Sequence, residues 1–187
     1  MVTERVIDAN RVVTGVELAA LGDIGPCELV EGKVIPMSPT SSLHGKCEGN
    51  FYFALRSFVE VHGVGEVLVG EVGIYTGRNP DTVRAADVLF ISSERYAKRT
   101  SSGFLDVAPD LIVEVLSPND RWSEVMQKLR EYFEIGVRLV WVADPQSRVV
   151  YAYQALTDVR EFGEDNELPG DEVLAGFSVS VKRLFEE

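Results

Sequence analysis

The chain predicts an α/β fold in which helices flank a central β-sheet, and three observations carry that expectation. Three β-rich segments, residues 67–76, 85–92 and 111–117, succeed one another with only loops between them. One apolar stripe at helical spacing precedes them and a second follows them. A length of 187 residues with 45% apolar side chains suffices for one sizeable core, so a single domain over residues 1–187 is expected.

Along the chain, Thr14 and Glu17 stand at capping-box spacing ahead of Val16, Leu18, Ala19 and Leu21, which predicts a short helix that Gly22 stops. Residues 27–37 divide about Glu31-Gly32 into two short apolar runs, a hairpin pattern, and Pro36 places the second strand near an edge. From Ser42 to His62, Phe51, Ala54, Leu55, Phe58 and Val59 recur at helical spacing, with Gly63 as the stop. The loops between the three β-rich segments contain Asn79-Pro80 and Ser101-Ser102-Gly103. A second stripe, Trp122, Val125, Met126, Leu129, Tyr132 and Phe133, predicts a helix over 120–135 that packs on the sheet and ends at Gly136. Strand-like runs at 138–143 and 149–155 flank the Asp144-Pro145 turn, and an acidic loop at 163–171 leads to an alternating run at 177–181. Trp122 and Trp141 are both assigned to core packing.

No run of about 18 apolar residues is present, and residues 1–10 carry Glu4, Arg5 and Asp8 where a signal sequence would be apolar, so a soluble cytoplasmic protein is expected. Cys27 and Cys47 are the only cysteines and form no Cys-x-x-Cys pair, which excludes a disulfide framework and a structural zinc site. The net charge of −12 counts against a nucleic-acid partner, because phosphate-backbone affinity comes largely from Lys and Arg. Basic residues gathered on one face, or a bound divalent ion, could offset it locally.

Chemistry is expected where charge interrupts the strands. Glu114 is the only charged residue in 111–116, and alternation places it on the face of Ile112 and Leu116. Such an acid either reaches solvent at a strand end or sits buried, where it needs a cation or hydrogen-bond donors. Asp87, between Ala85-Ala86 and Val88-Leu89-Phe90, repeats the pattern. If the two strands are neighbours, the carboxylates can converge on one Mg²⁺ or Mn²⁺, which take oxygen ligands. Lys128, four residues after Glu124, is either half of an exposed helical ion pair or an ammonium that reaches the acids of the adjacent strand. His44 and Glu28 are ambiguous polar residues at the starts of elements. There is no phosphate-binding glycine loop, no His-Glu-x-x-His and no nucleophile elbow.

The succession Glu28-Leu29-Val30-Glu31-Gly32, Met37-Ser38-Pro39 with His44, Ala86-Asp87-Val88 and Pro109-Asp110-Leu111-Ile112-Val113-Glu114-Val115-Leu116-Ser117-Pro118 resembles the Uma-two family of endonucleases. The resemblance continues through Lys128, Tyr132, Gly136-Val137, Val140-Trp141-Val142 and Asp144-Pro145 to Gly176-Phe177 and Leu184-Phe185. It implies membership of the restriction-endonuclease-like superfamily, named for a Pro-Asp followed by an Asp/Glu-x-Lys strand motif, and hence a central mixed β-sheet flanked by helices. It further implies Asp87, Glu114 and the backbone carbonyl of Val115 as ligands of Mg²⁺ or Mn²⁺, Lys128 as the catalytic lysine, and Glu28 and His44 as site-lining residues. Ala86 stands where proline is usual, Ser117 occupies the position expected for the motif's lysine, and that lysine has moved to the following helix, at Lys128.

The function expected is metal-dependent hydrolysis of phosphodiester bonds in nucleic acid, DNA in preference, by a homodimer with no membrane partner. The rival expectation is a non-catalytic interaction or regulatory module that keeps the nuclease fold. A third is hydrolysis of a small phosphate ester, which a narrow closed pocket would favour. Whether Lys33, Lys46, Arg56, Arg84, Lys98 and Arg99 gather around the acids discriminates the first two.

Overall fold

A computed structural model describes residues 11–22 and 24–186. The expectation for residues 1–10 lies outside the described residues. The chain begins with α1 (Gly15–Ala20), whose capping box is formed: the Thr14 hydroxyl accepts from the Glu17 N–H while the Glu17 carboxylate accepts from the Thr14 N–H. The hairpin follows as β1 (Cys27–Val30) and β2 (Lys33–Pro36). Next come α2 (Ser42–His62), the long strands β3 (Gly65–Gly77) and β4 (Thr82–Ser92), and a single turn α3 (Ser93–Tyr96). Then β5 (Leu111–Val115), α4 (Trp122–Glu134) and β6 (Leu139–Asp144) form a parallel crossover unit. β7 (Val149–Ala155), β8 (Asp158–Phe162), β9 (Glu167–Pro169), β10 (Ser178–Ser180) and α5 (Val181–Leu184) complete it.

Eight strands make one sheet in the order β2-β1-β4-β5-β6-β7-β8, with β3 paired to β4 off that path. Among the pairings of the named strands in the described residues β5–β6 alone is parallel, so the sheet is mixed and β2, which ends in Pro36, lies at its edge. The acidic segment expected to be a loop contains β9, which pairs with β10 as a separate two-stranded sheet. Its three residues are too short for a period to register, and it exists because Leu168 is drawn into the core.

The strands sort their side chains to two layers. On one face, Val88, Phe90, Val113 and Trp141 pack with Cys47, Phe51, Leu55 and Val59 of α2. On the other, Leu89, Ile112, Val140 and Val142 pack with Val125, Leu129 and Tyr132 of α4. Trp141 is fully buried, but Trp122, at the first position of α4, is 52% exposed, because the stripe does not meet the sheet until the next turn. No helix among the described residues is long and apolar enough to cross a membrane. Burial inside the α2 layer, with Asp87 and Glu48 nearby, pushes the Cys47 thiol up to about 12. It is therefore not a nucleophile.

The edge of β4 decides where polar groups must go. Along one edge β4 pairs with β3 over nearly its whole length. Along the other it meets β1 at Leu29↔Val83 and β5 only from Val88↔Val113 to Phe90↔Leu111. Between those contacts no strand reaches this second edge of residues 84–87, and side chains take over. Glu28 Oε1 accepts from the Ala85 N–H at 3.1 Å, and Glu28 Oε2 accepts from Arg84 NH1 at 2.9 Å. Arg84 then crosses to α4, donating to both oxygens of Glu131 at 2.6 and 2.7 Å, and Thr76 and Gln127 donate to the same carboxylate. This ion chain ties β1, β4 and α4 together.

Burial would raise both carboxyls of the chain, but the cations prevail. Arg84 holds Glu131 below its ordinary value of 4.5, and Lys128 with Arg84 does the same for Glu28. A folded-state value below the unfolded one contributes stability that is present above about pH 4.5 and is lost as pH falls through the folded value. Urea titrations between about pH 3 and 4.5, below the range in which the raised carboxyl of Glu114 works in the opposite direction, should show wild-type stability rising with pH. Glu131→Gln should cost about 2 kcal/mol at neutral pH and flatten that rise. An unchanged pH dependence in Glu131→Gln would show that the ion pair adds nothing.

Candidate active site

The gap in the β4 edge is filled from three sides. Asp87, from β4 itself, uses Oδ2 to accept from the Val115 N–H at 2.6 Å, one step past the end of the β4–β5 ladder. Glu114 of β5 points toward the α4 layer, on the side of Ile112 and Leu116 that alternation requires. Lys128 reaches from α4, with Nζ 3.0 Å from Glu114 Oε2, 3.1 Å from Glu28 Oε1 and 3.4 Å from the Ala85 carbonyl. Its ammonium takes the place of a strand donor for Ala85 while bridging two acids. The partner of Lys128 is thus not Glu124, four residues earlier, but the strand acid.

Glu114 has both oxygens engaged, because the Tyr132 hydroxyl donates to Oε1 at 2.6 Å. Burial lifts its carboxyl to about 7; Lys128 opposes that rise and the Asp87 charge adds to it. Burial works against the charge on Lys128, but Glu114 and Glu28 overcome it and hold the ammonium well above its ordinary value. Tyr132 is raised as well, by burial and then by Glu114, so it remains a hydrogen-bond donor.

From the α2 side, His44 lies with Nε2 3.5 Å from Asp87 Oδ2, while its buried Nδ1 has no partner among the described residues. Burial would lower His44, yet Asp87, Glu48 and the Val115 main chain raise it overall. One turn along α2, Glu48 accepts from the Gly70 N–H at 3.2 Å. Burial, then Asp87 and Glu71, raise its carboxyl. Gly70 (φ 92°) and Glu71 (φ 49°) form a bulge in β3 opposite Ala86–Val88, so the strand turns its main-chain donor toward the helix.

The structure therefore brings Asp87, Glu114, Lys128, Glu28 and His44 into one cluster. Tyr132, Arg84 and Glu48 join them without having been singled out as site residues. Tyr132 sits four residues after Lys128, and that shared helical face is the signal that could have found it. For Glu48 the comparable signal is its place one turn after His44.

The six cations do not gather. Arg84 alone touches the acids, and it is committed to Glu28 and Glu131. Arg56 pairs with Glu60 and Glu66, Lys98 with Glu94, and Arg99 lies over the Tyr96 ring. Lys33 is exposed on the β1–β2 hairpin, and Lys46 lines a groove on the outer side of α2.

The donor set suits a hard divalent ion. Asp87 and Glu114 offer carboxylate oxygens, and with Glu28 and Glu48 they outnumber Lys128 and Arg84. Among the described residues no three acidic, His or Cys side chains form a ready-made metal cage. Mg²⁺ commonly takes only one or two carboxylates and completes its shell with water and phosphate, so two strand acids and a main-chain carbonyl are a sufficient set.

The fold has a counterpart in the crystal structure of "a putative nuclease belonging to DUF820" from Anabaena variabilis, with a TM-score of 0.72 at 22% identity over 85% of this chain and 89% of that one. No curated protein matches the chain. A family model described as "Putative restriction endonuclease" matches residues 17–182, a span that holds every residue of the cluster. The chain belongs to the Uma2 family, and its fold is the restriction-endonuclease-like mixed sheet flanked by helices.

Proposed function

We propose that this chain is a metal-dependent endonuclease that hydrolyses phosphodiester bonds of nucleic acid, DNA in preference to RNA, and that it acts as a homodimer in the cytoplasm. The observation that carries the reading is Lys128: a half-buried ammonium held 3.0 Å from Glu114, beside Asp87, by a carboxylate on a third element. A structural ion pair needs one acid, whereas here a second acid, Glu28, fixes the lysine's position.

Asp87, Glu114 and the Val115 carbonyl would hold Mg²⁺ or Mn²⁺, which when bound supplies a water of lowered pKa and neutralises phosphate charge. The chain's own residues do the rest. The Val115 N–H fixes Asp87, and Tyr132 and Lys128 fix Glu114, so both acids are oriented before substrate arrives. Lys128 keeps its proton at any physiological pH and so acts as a fixed positive charge for the pentacovalent transition state, not as a base. His44 and Glu28 line the site, one steadying Asp87 and the other Lys128.

One observation favours the rival reading of a non-catalytic module. Five of the six surveyed cations stand away from the acids, on a chain of charge −12. Metal binding separates the two readings without knowledge of the substrate.

Titration of Mn²⁺ followed by its paramagnetic signal should show binding to the wild type and loss in Asp87→Asn and Glu114→Ala, with melting curves confirming that both variants fold. A Glu114→Ala protein that still binds Mn²⁺ and cleaves would remove Glu114 from the site. Lack of binding in the wild type, even with a short duplex present to supply phosphate, would decide for the module. Lys128→Ala should keep Mn²⁺ affinity and lower single-turnover cleavage by about a hundredfold. A drop in metal affinity without a drop in turnover would reverse the roles assigned to Lys128 and the acids.

A further inference from the structure

The side of α2 turned away from the sheet is unused by the candidate site. Its positions Lys46, Asn50, Phe53, Ser57 and Val61 recur three to four residues apart on one face. Phe53 is 65% exposed and Val61 80% exposed. Beside them, Phe58, Phe177 and Val179 form the floor of a groove of about 620 Å³ between α2 and the β10–α5 segment, with the Phe58 and Phe177 rings edge to face at 5.4 Å. An apolar ridge thus adjoins an apolar trough on the same surface. Exposed aromatic and aliphatic side chains next to a trough that could receive them mark an interaction surface.

We propose that this face is the interface between two copies of the chain, with α2 packed antiparallel against α2 of the second copy. Charge and pattern select that occupant. A molecule of net charge −12 repels its own copy over most of its surface, but this face carries both signs: Lys46 and Arg183 against Glu60 and Glu186. A two-fold axis between Phe53 and Ala54 sets Lys46 opposite Val61 and beside Glu60 of the second copy. It also sets Asn50 opposite Ser57. The Asn50 amide N–H groups already donate to the Leu184 and Glu186 carbonyls, which leaves its oxygen to accept from that serine hydroxyl. Each Phe53 lies at the axis and turns into the trough of the other copy. An isologous contact requires this self-complementarity, and an unrelated partner does not. At about 1.5 Å per residue, α2 spans about 31 Å and the two His44 residues stand about 28 Å apart along it, so the candidate sites stay open at opposite ends of the interface. The interface rests on the homodimer proposed above but not on the nuclease chemistry.

Sedimentation velocity on the full chain from about 1 to about 100 µM tests it. The wild type should be a dimer that dissociates on dilution. Phe53→Asp, which brings two carboxylates together at the axis, should weaken it at least about tenfold while leaving the melting temperature and Mn²⁺ binding unchanged. Lys46→Glu and Glu60→Lys should each weaken the dimer, and the double variant should restore it. A wild type that stays monomeric throughout overturns the proposal and hands the groove to a different partner. A dimer indifferent to Phe53→Asp overturns it by placing the interface elsewhere. Loss of Mn²⁺ binding alone would leave it standing, so its failure and that of the nuclease reading are distinguishable.

Discussion

The site depends on an interruption in one ladder. β4 gives one edge to β3 and divides the other between β1 and β5, and the main chain of residues 84–87 faces the space where neither strand reaches. Buried N–H and C=O groups without partners are rarely tolerated, so something other than a strand must meet them. Here Glu28 meets the Ala85 N–H, Lys128 meets the Ala85 carbonyl, and Asp87 reaches across to the Val115 N–H. The groups that repair the sheet are the same groups that make up the cluster. An uninterrupted ladder would leave no room for them.

That arrangement is balanced electrostatically but not relaxed. Lys128 and Arg84 are each shared between two carboxylates, so the acids outnumber their partners; burial raises the carboxyls of Glu114 and Glu48, and the nearby Asp87 charge adds to both. Buried ion networks are weak contributors to net stability, and apolar residues of similar volume commonly do as well. A chain under pressure for stability alone would gain little from placing Glu114 among Ile112, Leu129 and Tyr132.

Much of this was legible in the residues themselves. Glu114 announced itself as the one charge in an apolar strand, and the period of two named the layer it faces. Asp87 followed by the same logic, and the helix of Lys128 was visible from its stripe. Tyr132 was obscured because a tyrosine within an apolar stripe reads as packing; its place one turn after Lys128 is the available signal, and the position of Glu114 opposite it shows its hydroxyl to be a donor. Arg84 and Glu131 were hidden because they lie 47 residues apart and meet only after β4 and α4 have packed. Trp122 was misassigned for a related reason: periodicity identifies a face but not where along its length the face first touches the sheet. Glu48 depends on the bulge at Gly70, a main-chain feature with no side-chain signal of its own.

The position of the lysine shows how a cluster can be kept while the chain that delivers it changes. In the strand motif the lysine follows the acid by two residues and shares its face, so the strand alone sets their separation. Counted from Glu114 that position is Leu116 and not Ser117, which lies one residue further on; Leu116 packs in the α4 layer, and the ammonium comes from α4 instead. Distance to the acid is then set by how α4 sits on the sheet, and a helix free to slide by a fraction of a turn would lose it. Two features prevent that. Val125, Leu129 and Tyr132 key the helix to the sheet, and Glu131, three residues after Lys128, is clamped by Arg84 of β4. The Arg84 clamp at one end of the cluster and the Glu28 bridge at the other therefore replace the rigidity that a single strand would have supplied. Residues well outside the Lys128–Glu114 pair become part of what positions it.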